Sequence, residues 1–123
     1  MRFLKSDISS TLAGMRIELN EHEVKWSVAV GLVLRKTRKQ GGFVQEEVAY
    51  KASTGRLTIQ RIEYGATSPN LVTLLRVCGA LEIAPSILFA EAEKLMQHPK
   101  KLEAAIEARD AELAPVRARR RNS

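Results

Sequence analysis

The stretch QEEVAYKASTGRLTIQRIEYG, residues 45–65, decides how the rest of the chain is read. Two short helical patterns flank Ser53, Thr54 and Gly55, a cluster of the residue types that make turns. In the second pattern Ile59, Ile62 and Glu63 stand at i, i+3 and i+4 and share one side of a helix. Leu57, Gln60, Arg61 and Tyr64 fall on the opposite side, with Arg56 at the flank. One side therefore reads as core, and the other, polar and basic, is free to meet a partner. Val48, Ala49 and Ala52 make a comparable stripe in the first helix, where the small Ala49 lets two helix axes approach closely. Gly65 is placed to end the second helix in the left-handed conformation.

The 123 residues suit one domain with appendages, too few for two independent cores. Aromatic residues are only 5%, so the core must be aliphatic and a single-strand binder that stacks bases on rings is disfavoured. The net charge is +6. It is concentrated in residues 28–81, with eight basic and three acidic side chains, and in the last ten residues, with four arginines and no acid. Residues 1–27 are balanced and residues 82–113 are acidic, so the excess falls on the motif and suits a polyanionic partner.

Cys78, the one cysteine, sits in an apolar run and reads as a small buried hydrophobe, with no disulfide and no metal set. No cofactor site and no catalytic constellation is expected: Glu63 has no nucleophile or second carboxylate at a matched spacing. The opening MRFLKSDISS lacks the apolar length of a signal peptide, and no run approaches a membrane span. The expectation is a cytoplasmic, soluble protein with no membrane partner.

Working outward, residues 1–27 read as an N-terminal extension. Ile8, Leu12, Met15, Leu19 and Trp26 give a helical spacing, with Ser6 or Asp7 as cap and His22 as a structural histidine. A strand at residues 15–19 is the competing reading, and the helix is preferred despite Gly14. The next helix spans about residues 28–40 and ends at Gly41-Gly42. Val28, Ala29, Leu32 and Val33 make it apolar nearly all round, so the extension or a second subunit is expected to cover the side the motif leaves free. Arg35, Lys36 and Lys39 cluster at its far end, within reach of phosphates.

After Gly65, Asn70 is a candidate cap for a helix over residues 71–81, with Leu71, Leu74, Leu75, Cys78 and Leu81 as its apolar face. A helix over residues 84–93 supplies Ile87, Leu88 and Phe89 to the core. His98-Pro99 marks a boundary, and Leu102, Ile106 and Leu113 line one side of a C-terminal helix over residues 98–115 that docks on the body or pairs with its twin. The basic tail, residues 116–123, reads as disordered and, compatibly with that, as an arm that tethers the chain to DNA.

The spacing resembles the lambda-repressor-like helix-turn-helix family (the XRE/Cro type), without a gap over residues 30–65 and over about 60 residues in all once residues 30–89 are counted. Gln45 opening the first helix, Ala49 four residues on, and Ile62, Glu63 and Gly65 closing the second match that family's pattern. Arg38 stands where the family carries an arginine that pairs with the glutamate, so Arg38 and Glu63 are expected to form a structural ion pair. Departures are Ser53 where the turn commonly holds glycine, Gly55 in place of a Ser or Thr cap, and Leu57 at an often polar position.

The resemblance implies an all-α, five-helix lambda-repressor-like DNA-binding domain over residues 28–97, with a possible dimerisation helix before it. The helix over residues 56–63 would enter the major groove, with Arg56, Arg61, Gln60 and Leu57 at base edges, Leu57 against a thymine methyl. Gln45, Arg35, Lys36, Lys39, Thr58 and Tyr64 would hold phosphates. So short a helix reads few base pairs, which implies a homodimer on a pseudo-palindromic double-stranded DNA site, acting as a repressor. Two other classes stay open: an antitoxin that represses its own operon while an extension covers a toxin, and an interaction module without DNA. An enzyme is the least supported.

Overall fold

Asn20 opens the first helix with a reciprocal cap. Its side chain accepts from the Glu23 backbone N–H at 2.8 Å, and its own N–H donates to the Glu23 carboxylate at 3.0 Å. The helix that follows, α1 (Glu21–Gln40), carries acids in its first turn and Arg38 and Lys39 in its last, in line with the helix dipole. The computed structural model describes residues 20–122. Among them it contains α1, α2 (Gln45–Lys51), α3 (Arg56–Tyr64), α4 (Leu71–Leu81), α5 (Pro85–Gln97) and α6 (Pro99–Asn122), and no strand.

The start of α1 departs from the expected residue 28, because the Asn20–Glu23 cap places it at Glu21. Trp26 accordingly belongs to α1 rather than to an extension, and meets Phe89 edge-on with ring centroids 6.4 Å apart. His22 lies exposed in the first turn, and among the described residues its side chain forms none of the hydrogen bonds expected of a structural histidine. The helix-or-strand reading of residues 6–19 lies outside the described residues.

The core is aliphatic, with Leu34, Val48, Ile59, Cys78 and Leu88 fully enclosed. Burial pushes the Cys78 thiol pKa up, so it stays a protonated, inert hydrophobe. α2 packs on α3, and α1 lies across α3 on one side and along α5 on the other. Among the described residues, α5 and α6 cover the side of α1 that the motif leaves free; residues 1–19 of the N-terminal extension expected there lie outside the described residues. The contact with α3 is backbone to backbone: a Cβ on Gly31 would lie 2.3 Å from the Ile62 carbonyl oxygen and 2.6 Å from that of Glu63.

On α4 the buried residues are Leu74, Val77, Cys78, Ala80 and Leu81, while Leu71 and Leu75 are exposed; the buried face is the one turned to α2, α1 and α5. On α5 only Leu88 of the expected trio is buried, and Ile87 and Phe89 are exposed, because adjacent residues point about 100° apart on a helix and cannot share one side. α5 runs one turn past residue 93 and stops at His98, whose backbone is pushed out of the helical region by Pro99. α6 docks on α5 and α1 and continues through Pro115 to Asn122, beyond the expected end at residue 115. Its Ala and Arg content favours helix over the disorder expected for the tail.

Candidate nucleic-acid interface

The turn between α2 and α3 closes with Ser53 at φ 55°, while the Thr54 N–H donates to the Ala49 carbonyl at 2.9 Å. Ser53 therefore takes the left-handed position that the family usually gives to glycine. Gly55 starts α3 without a side-chain cap, and Gly65 ends it at φ 77°. Between these ends Ile59 and Ile62 are buried, so α3 can present only its other side.

Glu63 fixes that orientation. Only 4% exposed, it accepts from Arg38 Nε at 2.6 Å, Arg38 Nη2 at 3.1 Å and Gln45 Nε2 at 3.2 Å. Arg38 Nη1 also donates to the Phe43 carbonyl at 2.8 Å, which ties the turn after α1 to the same cluster. A buried carboxylate supplied with three donors holds α1, α2 and α3 in one arrangement.

On the outer side, Arg56, Leu57 and Arg61 are exposed, and neither arginine forms an ion pair among the described residues. Gln60 and Thr58 are half-buried beside them. The four residues assigned to base edges thus share one accessible stripe. The six assigned to phosphates are dispersed. Gln45 stands at the first turn of α2, with its side-chain amide directed to Glu63. Lys36 is exposed.

Arg35, Lys39 and Tyr64 are engaged by α6. Glu112 meets Arg35 Nη2 at 2.9 Å and forms a close ion pair with Lys39. Tyr64 donates its hydroxyl to Asp110 at 3.4 Å, and its ring lies under the Arg109 guanidinium, 4.2 Å from the centroid. Arg109 also donates to the Tyr64 carbonyl at 2.6 Å.

Sequence reasoning missed Arg109 and Gly31. Leu102, Ile106, Arg109 and Leu113 follow one stripe at i, i+4, i+7 and i+11, so the gap in the apolar series was the available signal. For Gly31 the signal was a lone glycine inside a strong helical pattern.

Residues 34–88 match the helix-turn-helix family model. Among solved structures, the wild-type restriction-modification controller protein C.Esp1396I is 27% identical, with a TM-score of 0.55, covering 59% of this chain and 96% of that one. The clp gene regulator ClgR from C. glutamicum is 25% identical, with a TM-score of 0.55, covering 58% of this chain and 92% of that one. The controller protein C.AhdI from Aeromonas hydrophila is 34% identical over 50% of this chain and 94% of its own, with a TM-score of 0.49. No curated protein matches the chain. The matched segment ends before α6, so α6 is outside the part shared with the family model.

Proposed function

Because the chain belongs to the lambda-repressor-like (XRE/Cro-type) helix-turn-helix family of DNA-binding transcriptional regulators, we propose that α3 reads a specific double-stranded site as part of a homodimer and that binding represses transcription. The observation that supports this reading is the stripe of Arg56, Leu57, Gln60 and Arg61 on a helix whose inner side is fixed by Glu63. Arg56 and Arg61 suit the O6/N7 edge of guanine, Leu57 a thymine methyl, and Gln60 a base or a phosphate. The N-terminal amides of α2, with Lys36, suit phosphates at the groove edge. Two such helices related by a two-fold axis would sit about 34–36 Å apart, one turn of B-DNA. The controller and regulator proteins of similar fold support regulation as the consequence of binding.

The test is titration of the full chain against its own upstream duplex and a random duplex, at low and moderate salt. A two-fold-symmetric footprint confined to the upstream fragment is expected. For Arg61→Ala the expected loss is about tenfold or more on that fragment and little on random duplex, since one good base contact discriminates by about 1–3 kcal/mol. Equal weakening on both would place Arg61 on phosphate.

A further inference from the structure

We propose that Arg109 of α6 is a positioning residue for α3, so that this chain builds its reading helix with a part lying outside the shared family segment. The proposal rests on the DNA-reading role of α3. A helix leaves its last carbonyls without partners. Here Gly65 and Ala66 donate back to Ile62 and Arg61, each at 3.0 Å. The Tyr64 carbonyl is taken instead by Arg109 Nη1 at 2.6 Å.

The same guanidinium stacks on the Tyr64 ring. It is braced by Asp110, which accepts from Arg109 Nε at 3.3 Å and Nη2 at 3.1 Å while also accepting from the Tyr64 hydroxyl. Arg109 is only 6% exposed, far beyond what a solvated surface arginine needs. Carbonyl, ring and hydroxyl of a single α3 residue are thus held by one arginine–aspartate pair. A positive charge at that end also complements the helix dipole.

The geometry has a functional consequence. The Arg38–Glu63 pair and the buried Ile59 and Ile62 fix the inner side of α3 up to its C-terminal end, but none of them reaches Tyr64 on the outer side. Arg109 fixes that end from the outer side, and Tyr64 lies one turn beyond Gln60 and Arg61. Base contacts require side chains held within about 0.5 Å of their working geometry, so loss of this clamp should degrade reading before it unfolds the domain. Phosphate-driven binding tolerates such displacement, because it depends on charge more than on register.

The experiment uses the full chain and two duplexes: one selected by the parent protein from a random-sequence pool, and one unselected. Arg109→Lys keeps the charge but loses the planar fork and the stack; Tyr64→Phe removes only the hydroxyl. Affinities and thermal midpoints are measured for the parent, both variants and Arg109→Ala. The expected result is a loss of about tenfold on the selected duplex for Arg109→Lys, with unselected binding unchanged, and a smaller loss of the same kind for Tyr64→Phe. Amide exchange over residues 61–65 should quicken in both variants while the α1 core stays protected. Should Arg109→Ala fail to fold, the two milder variants still decide. Unchanged preference for the selected duplex, or equal loss on both duplexes, would overturn the proposal. Failure of the pool to yield any preferred duplex for the parent would instead bring down the DNA reading, before any variant is compared.

Discussion

Gly31 sets how closely α1 approaches α3, and the obstacle a side chain would meet there is backbone, which cannot rotate away. Gly31→Ala gains about 1 kcal/mol of helix propensity and forces the helices apart. Overpacking of this kind costs about 1–3 kcal/mol or more, so a net loss of stability is expected in denaturant unfolding; a gain would show that the contact relaxes. Ser53 presents the opposite case, an L-residue at φ 55° on an exposed turn. The left-handed region costs a side-chain-bearing residue about 1–2 kcal/mol, part of which glycine returns as extra unfolded-state freedom. Ser53→Gly is therefore expected to stabilise by about 0.5–1 kcal/mol, read as a higher denaturation midpoint, and no change would mean that the Ser53 strain is absorbed by its neighbours.

At the scale of elements, α6 is joined to α1 and α3 by charge as much as by apolar packing. Glu112 carries the link to α1, and the Lys39 hydrogen bond foremost, aided by the Arg35 charge, holds its carboxyl below its ordinary 4.5. Burial opposes that shift. A depressed carboxylate pKa means that the stabilisation is fully present above about pH 4.5 and is lost as the pH falls through the lower folded value. Glu112 is half-exposed, so screening keeps the effect small. The expected outcome is a thermal midpoint slightly lower for Glu112→Gln than for the parent at pH 6, the gap closing towards pH 3; a gap independent of pH would exclude the ion pair as its source. Among the described residues no single helix is long and apolar enough to cross a membrane.

Across the whole molecule, the surface left over by folding suggests how two copies would meet. Leu71, Val72 and Leu75 project from α4, Leu71 with 67% of its surface exposed, and α4 carries no acid and one base, Arg76. A two-fold axis sets one patch against a copy of itself, so an apolar, nearly neutral face is one that can pair without like-charge repulsion. A second copy of this chain is the occupant this favours. Leu75→Glu should shift sedimentation from dimer to monomer at micromolar concentration while leaving the thermal midpoint of the monomer near that of the parent, since the side chain is outside the core. An unchanged dimer would place the contact elsewhere, in the N-terminal residues or α6.

The helix-turn-helix unit was legible because its signals are local. The stripe of Ile59, Ile62 and Glu63, the left-handed Gly65 and the Asn70 cap each depend on residues one to four apart, and the structure shows each of them. Even the missed start of α1 was written locally, in Asn20 and Glu23. Tertiary structure alone decided which of two apolar faces of α4 is buried, what covers α1, and where Arg35, Lys39 and Tyr64 turn. The first two depend on α4 and α5 packing against helices distant in the chain, and the last on α6 meeting α1 and α3 across separations of about 45 residues and more, as Arg109 meets Tyr64. Periodicity states that a helix has a side to bury; only the packed chain states against what, because burial and ion pairing are settled between elements rather than within them.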